Sequence, residues 1–141
     1  MPRNNTPQLV AVGNIRPCRF VKLDTTEDNS AAEADENEVV IGISEEGTEA
    51  APIPSQSTQY HASDGTPVGL YSSGDICLLK AGSGGWAAGG RIKSDADGQG
   101  IAIATTGTTV QNVGAIALEA CASGSFGRVQ VRFESYRPAL T

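Results

Sequence analysis

Aromatic side chains are scarce in this chain, with three Phe, three Tyr and one Trp among 141 residues. Rings contribute the largest buried area per residue. With 17 Gly beside so few of them, the chain reads as one thin, turn-rich domain, long enough to bury about two-thirds of its unfolded surface. Such a domain gains stability from a partner, so an oligomer is expected. Long apolar runs are missing too. No stretch approaches the roughly 18 apolar residues of a membrane span, and the start "MPRNNTPQLVAVG" has no signal-peptide core, so neither a membrane partner nor export is expected. Cys18, Cys77 and Cys121 are odd in number and form no CxxC pair. That argues against a disulfide framework or a zinc knuckle and for reduced thiols in a cytoplasmic product.

Bases are absent from a long central block. Residues 24–79 carry twelve acids, Asp24 to Asp75, and no Lys or Arg. Residues 1–23 are the reverse, with Arg3, Arg16, Arg19 and Lys22 and no acid, and residues 80–141 hold six bases and four acids. The net charge of −6 therefore hides a segregation. A block this negative, with no basic patch interleaved with aromatics, repels nucleic acid.

What is present is β-like. Residues 1–15, with Pro2, Pro7 and the run "LVAVG", read as an extended arm suited to another surface. "CRFVKL" (18–23) reads as a strand, and "DTTEDNSAAEADENE" (24–38) as an acidic loop, with a short solvated helix as the alternative. "VVIGIS" (39–44) is dense in β-branched residues and reads as a buried strand. A Pro-containing connection follows, then two or three strands within 59–81, and Gly pairs at 84–85 and 89–90 that bracket "WAA" as an exposed tip. "RIKSDADGQGIAIATT" reads as strand, turn, strand around Asp97-Gly98. "VGAIALEA" (113–120) and "RVQVRFES" (128–135) complete the set, the last alternating Val129, Val131 and Phe133 with Gln130, Arg132 and Glu134. Seven to nine short strands without a long helix imply an all-β barrel or sandwich over residues 16–137, with 138–141 a tail.

Few residues suggest chemistry. Asp95, Asp97, Gln99 and Gly100 match the first, third, fifth and sixth positions of a calcium loop, but the twelfth, where a bidentate Glu belongs, is Thr106. A hairpin turn accounts for them without a metal. Gly82, Gly84 and Ala87 have dinucleotide-fingerprint spacing, yet "GGWAAGGRI" is too short and Gly-rich for the helix that motif requires. His61 is the sole histidine and no GxSxG elbow accompanies it. Cys18, between Arg16 and Arg19, is a candidate for a lowered pKa, since nearby cations favour thiolate. Trp86, on its tip, either stacks on a sugar or partner or tucks back over the fold. No pair is arranged for acid–base or nucleophilic work, so an enzyme is not expected, nor a cofactor or a structural metal.

The segments "CRFVKLD", "VVIGIS", "YSSGDICLLKAG", "GGRIKSDADGQGIAIA" and "VGAIALEACASGSFGRVQVRF" resemble the small capsid decoration, or cement, proteins of tailed bacteriophages. The motif positions are Gly90, Ile92, Lys93, Ser94, Asp95, Ala96, Asp97 and Gly98, then Val113, Gly114, Ala117, Leu118, Glu119 and Ala120, the second with Ile116 as an extra residue. The resemblance spans about 18–133, loosely over 60–90; the acidic 24–38 stretch and the Trp86 tip depart from it. It implies a structural virion protein on the outer capsid surface that clamps neighbouring capsomers, with the major capsid protein and itself, as a homotrimer, for partners. On that reading Arg3, Leu9, Val10, Val12, Arg16 and Trp86 are the expected partner-binding residues. The alternative is a virion-surface module that binds host glycan through Trp86, Tyr60 and His61.

Overall fold

The computed structural model describes residues 9–47 and 60–138. Among them are ten strands and no helix: β1 (Val10–Ala11), β2 (Phe20–Leu23), β3 (Ser30–Glu33), β4 (Gly42–Ser44), β5 (Leu70–Tyr71), β6 (Ile76–Lys80), β7 (Arg91–Ser94), β8 (Gly100–Ala102), β9 (Gln111–Ala117) and β10 (Phe126–Tyr136). They form two five-stranded sheets, ordered β1-β3-β2-β4-β5 and β6-β10-β9-β7-β8. The all-β expectation holds. The count exceeds seven to nine because β1 and β5 have two residues each and because β3 lies inside the acidic stretch.

The second sheet follows the alternation read in its longest strand as far as Val131; a register shift between Val131 and Glu134 then turns Phe133, expected on the buried face, out to 41% exposure. Val129 and Val131 of β10 are buried while Arg128 and Arg132 are exposed, as a half-buried antiparallel strand requires. Its inner face packs Cys77, Leu79, Ile92, Ala115, Ala117, Val129 and Val131 against Phe20, Ala34, Val40 and Ile43 of the other half. The first sheet is covered on both faces. Phe20 enters that main core, whereas its neighbour Val21 joins a second cluster with Ala11, Ile15, Ala31, Ala62 and Val68. Period-two geometry sends adjacent residues to opposite faces.

Three expectations are corrected here. The 24–38 segment is neither a loop throughout nor a helix. Ser30 and Ala31 start β3, which pairs antiparallel with β2 (Val21↔Glu33, Lys22↔Ala32). Small residues at 30, 31 and 34 let this strand bury (Ser30 3%, Ala31 0%, Ala34 1% exposed), while Glu27, Asp28, Asp35 and Glu36 stay in solvent. After β3, Asn37 straps the segment to the second sheet: its N–H donates to Ser94 O at 2.9 Å and its Nδ2 to Val110 O at 3.0 Å. Its Oδ1 in turn accepts the Asn112 N–H at 2.9 Å.

The arm is the second correction. From Leu9 onward the chain belongs to the domain. β1 pairs parallel with β3 (Val10↔Ser30, Ala11↔Ala31), Val12 donates its N–H to Ala31 O at 2.8 Å, and Ile15 is fully buried. The backbone partners expected on a neighbour are supplied by the same chain. Residues 1–8, with Arg3, lie outside the described residues, as do 139–141 of the expected tail; Pro138 is buried. Third, the buried strand expected over 39–44 shrinks to β4, with Val39 left 70% exposed.

Candidate functional site

The Asp95–Gly98 turn is built from its own backbone. Asp95 Oδ1 accepts the N–H groups of Asp97 at 2.8 Å and Gln99 at 2.9 Å, and Asp95 N–H donates to Gln99 O at 2.8 Å. Gly98 takes φ +75°, the left-handed conformation that glycine adopts without a Cβ clash. The turn then docks on the first sheet, where Gly98 O accepts the Phe20 N–H at 2.7 Å. Its Asp97 carbonyl accepts Arg19 Nη1 at 3.0 Å and Arg16 Nη2 at 3.4 Å. A divalent cation approaching that carbonyl meets two guanidinium groups, so the geometry is that of a docked hairpin.

Arg16, expected on a partner, is held within the chain by Glu33. Its Nε and Nη2 reach the two carboxylate oxygens at 3.0 and 2.8 Å, and its own N–H donates to Oε2 at 2.6 Å. Bidentate pairing of this kind is the strong form of the contact, and the Glu33 hydrogen bond raises the Arg16 pKa above its ordinary value. Arg19 is 7% exposed, and its Nε has no hydrogen-bond partner. Burial first, then the Arg16 charge, pulls its pKa down.

Trp86 is not an exposed tip. The indole is 6% exposed and packed in the main core, with Nε1 donating to Glu119 O at 2.9 Å. Glycine makes room for it: a Cβ on Gly100 or Gly127 would stand 2.9 or 3.0 Å from the ring. Both nitrogens of His61 are committed to backbone, Nδ1 to Gly47 O at 2.7 Å and Nε2 accepting the Gly69 N–H at 2.9 Å. Those two contacts together select the neutral Nδ1–H tautomer. The proposed glycan platform therefore has lost its ring and its histidine, and Tyr60 is half-buried.

Cys18 departs from the lowered pKa expected beside arginine. Burial outweighs Arg19 and pushes the thiol up to about 11, and burial likewise pushes Cys77 up to about 12. Thiols this far above neutrality are poor nucleophiles. No group of three or more His, Cys, Asp or Glu among the described residues is placed to hold a metal. A polar cleft of about 370 Å³ lies among Glu36, Asn37, Lys93, Thr106 and Gln111, but its Lys93 Nζ already donates to Gln111 Oε1 at 2.6 Å.

Sequence reasoning missed an exposed apolar and cationic face on the second sheet. Ile76, Leu78 and Lys80 of β6 stand opposite Gln130, Arg128 and Phe126 of β10. The signal was in "ICLLK", where apolar residues occupy both parities of one strand and so cannot all face the core.

The fold thus defines a class: a two-sheet, all-β domain. No family model matches the chain, and no curated protein matches it. Among solved structures it is similar to the head fiber gp8.5 N base of bacteriophage phi29, with a TM-score of 0.59 and 16% sequence identity. The match covers 89% of this chain and 92% of that one. At that identity the likeness is one of fold.

Proposed function

We propose that the chain is a structural protein of a bacteriophage head, bound to the outer capsid surface, where it clamps neighbouring capsomers in the manner of cement proteins. The observation that carries this reading is the near end-to-end fold match, 89% of this chain on 92% of the other, with a head fiber base. The residues that resemble cement-protein motifs support it from a separate direction. Ile92, Asp95 and Gly98 belong to the docked β7–β8 hairpin, with Gly90 just before it, and Val113, Gly114 and Ala117 lie in β9. Its partners on this reading are the major capsid protein and further copies of itself.

Mixing the purified full chain with undecorated heads and sedimenting the particles tests the reading. Saturable co-sedimentation, with heads that resist heat or chelation better than bare ones, is the expected result. Protein left in the supernatant at every ratio overturns it. Binding without added particle stability retains the attachment and removes the clamp.

A further inference from the structure

Soluble β-proteins pair, cover or blunt the edges of their sheets. Two outer edges here are tied down by the chain's own backbone. In β1 the Ala11 N–H donates to Thr66 O and the Ala11 carbonyl accepts the Gly65 N–H, both at 2.8 Å, and in β8 Gly100 O accepts the Gly82 N–H at 2.8 Å. The outer edge of β6 is different. Leu78 stands opposite Arg128 of β10, but Arg128 turns its main chain the other way. Its carbonyl accepts the Leu118 N–H and its N–H donates to Glu119 Oε2, each at 3.0 Å. Opposed residues of an antiparallel pair exchange both hydrogen bonds or neither. The main-chain groups of Leu78, and of Ile76 and Lys80 two places to either side, therefore point away from β10. The Lys80 N–H follows that direction and donates to Cys18 O at 3.0 Å. Ile76 and Leu78 have no backbone partner on that side among the described residues.

That edge opens on a cleft of about 300 Å³ lined by Glu46, Tyr71, Ile76, Cys77, Leu78 and Arg128. The cleft follows from the topology. β5 and β6 leave the Ser72–Asp75 turn, closed by the Asp75 N–H on Ser72 O at 3.0 Å, yet do not pair as a hairpin: β5 joins β4 and β6 joins β10. A wedge is left between them. The edge carries none of the devices that blunt one. Residues 76–79, "ICLL", contain no proline and no charge, and the register with β10 runs without a bulge from Ile76↔Gln130 to Lys80↔Phe126. Ile76 is 58% exposed. Charges of both signs sit here, Arg128 with Glu46 in the cleft and Glu119 against the Arg128 N–H. Main-chain hydrogen bonding, not net charge, is what the edge offers.

We propose that the β6 edge takes up one extended segment of a partner protein as an added strand, main chain against main chain at Ile76 and Leu78. Donors and acceptors that repeat every second residue along a strand are matched by another extended backbone. The Cys18 carbonyl on the Lys80 N–H already begins that ladder with a backbone group from outside the sheet. Alternate side chains of the incoming segment come to lie beside Ile76 and Leu78 on the outer face, so apolar residues at those places bury both. The inference deepens the proposed function by giving the partner's contacting segment a conformation and a place. That the segment belongs to the capsid shell rests on that reading; that the edge takes a strand does not.

Amide exchange read by NMR on the isotope-labelled full chain tests it without heads. In the free chain the Leu78 amide should exchange at least about tenfold faster than those of Cys77 and Leu79, which the ladder with β10 protects. The capped peptide acetyl-Thr-Val-Thr-Val-Thr-amide, added to about 1 mM to suit the affinity of a few main-chain bonds, should shift the Ile76 and Leu78 amide signals and slow their exchange. Leu78→Pro removes an N–H that no group of the chain uses, and an edge position tolerates proline. Its circular dichroism should be unchanged while peptide affinity falls by roughly tenfold or more. Should it unfold, Ile76→Pro, at the first residue of the strand, replaces it. A peptide that leaves both amides unmoved, or binds Leu78→Pro as it binds the natural chain, overturns the proposal. So does a Leu78 amide already protected in the dilute free chain, and protection that grows with protein concentration would give the edge to a second copy instead. Each of these failures leaves the head-binding reading standing. Heads that ignore the natural chain while the peptide binds would remove that reading and keep this one.

Discussion

The sheet β1-β3-β2-β4-β5 uses strands of two to four residues and packs apolar groups on both faces, whereas β6-β10-β9-β7-β8 includes strands of seven and eleven residues and buries one face. In the first sheet Phe20 and Ile43 face the main core while Val21 and Ala31 face the second cluster. A strand covered on both sides shows no clean alternation, and here it must also accommodate acids at its ends. The second sheet leaves Ile76 and Phe126 exposed on its other face. The difference teaches how a chain poor in rings assembles a core: the short acidic sheet is shared between two apolar clusters, and the long sheet supplies the wall of the main one.

The sharpest way to break this comparison is to remove residues 27–37. A solvated acidic loop would tolerate the loss. Because the deletion takes out β3 together with the Glu33 and Asn37 contacts, it is expected to abolish the cooperative fold, read as loss of β-type circular dichroism and of a melting transition. Retention of a native melt would mean that β3 adds nothing to the first sheet.

A smaller effect separates the two clusters. Phe20→Ala empties the space between the sheets and should cost about 3–5 kcal/mol, whereas Val21→Ala, on the opposite face, should cost about 2 kcal/mol. Urea unfolding with unchanged m-values measures both. Equal costs would show that the inner and outer clusters carry the first sheet alike.

The smallest effect is the alkaline limb of stability. Cys18 and Cys77 are raised from 9.0 to about 11 and about 12, chiefly by burial. A thiol raised on folding favours its neutral form in the native state, so the stability it contributes is complete below pH 9 and is lost as pH climbs towards 11. The Cys18→Ala/Cys77→Ala variant should therefore show a flatter decline over that window in urea midpoints. An unchanged slope would mean that these thiols ionise freely in the folded protein.

Legibility differed between the same two regions. Residues 128–131, "RVQV", announce their faces because only one side of β10 is packed in that stretch. The hairpin at Asp97-Gly98 was readable for a similar reason, since local backbone geometry alone dictates it. Residues 30–33, "SAAE", carry no strand signal: alanine and serine are buried there because Ala11 and Val21 press close, a fact about neighbours rather than about the segment. Cys18 misled in the same way, because Arg16 and Arg19 are near in sequence while the apolar surroundings that raise its pKa come from distant strands.

By itself, the sequence determined the all-β class, the turn chemistry and the separation of acidic from basic blocks, because propensity, left-handed turn positions and charge are properties of residues and their immediate neighbours. Tertiary structure decided that Leu9–Ile15 joins its own domain, that Trp86 turns inward over Gly100 and Gly127, and that Ile76, Leu78 and Phe126 share one exposed face with Lys80 and Arg128. Each of those outcomes depends on which distant strand is adjacent, and adjacency is set by the packing of the whole chain.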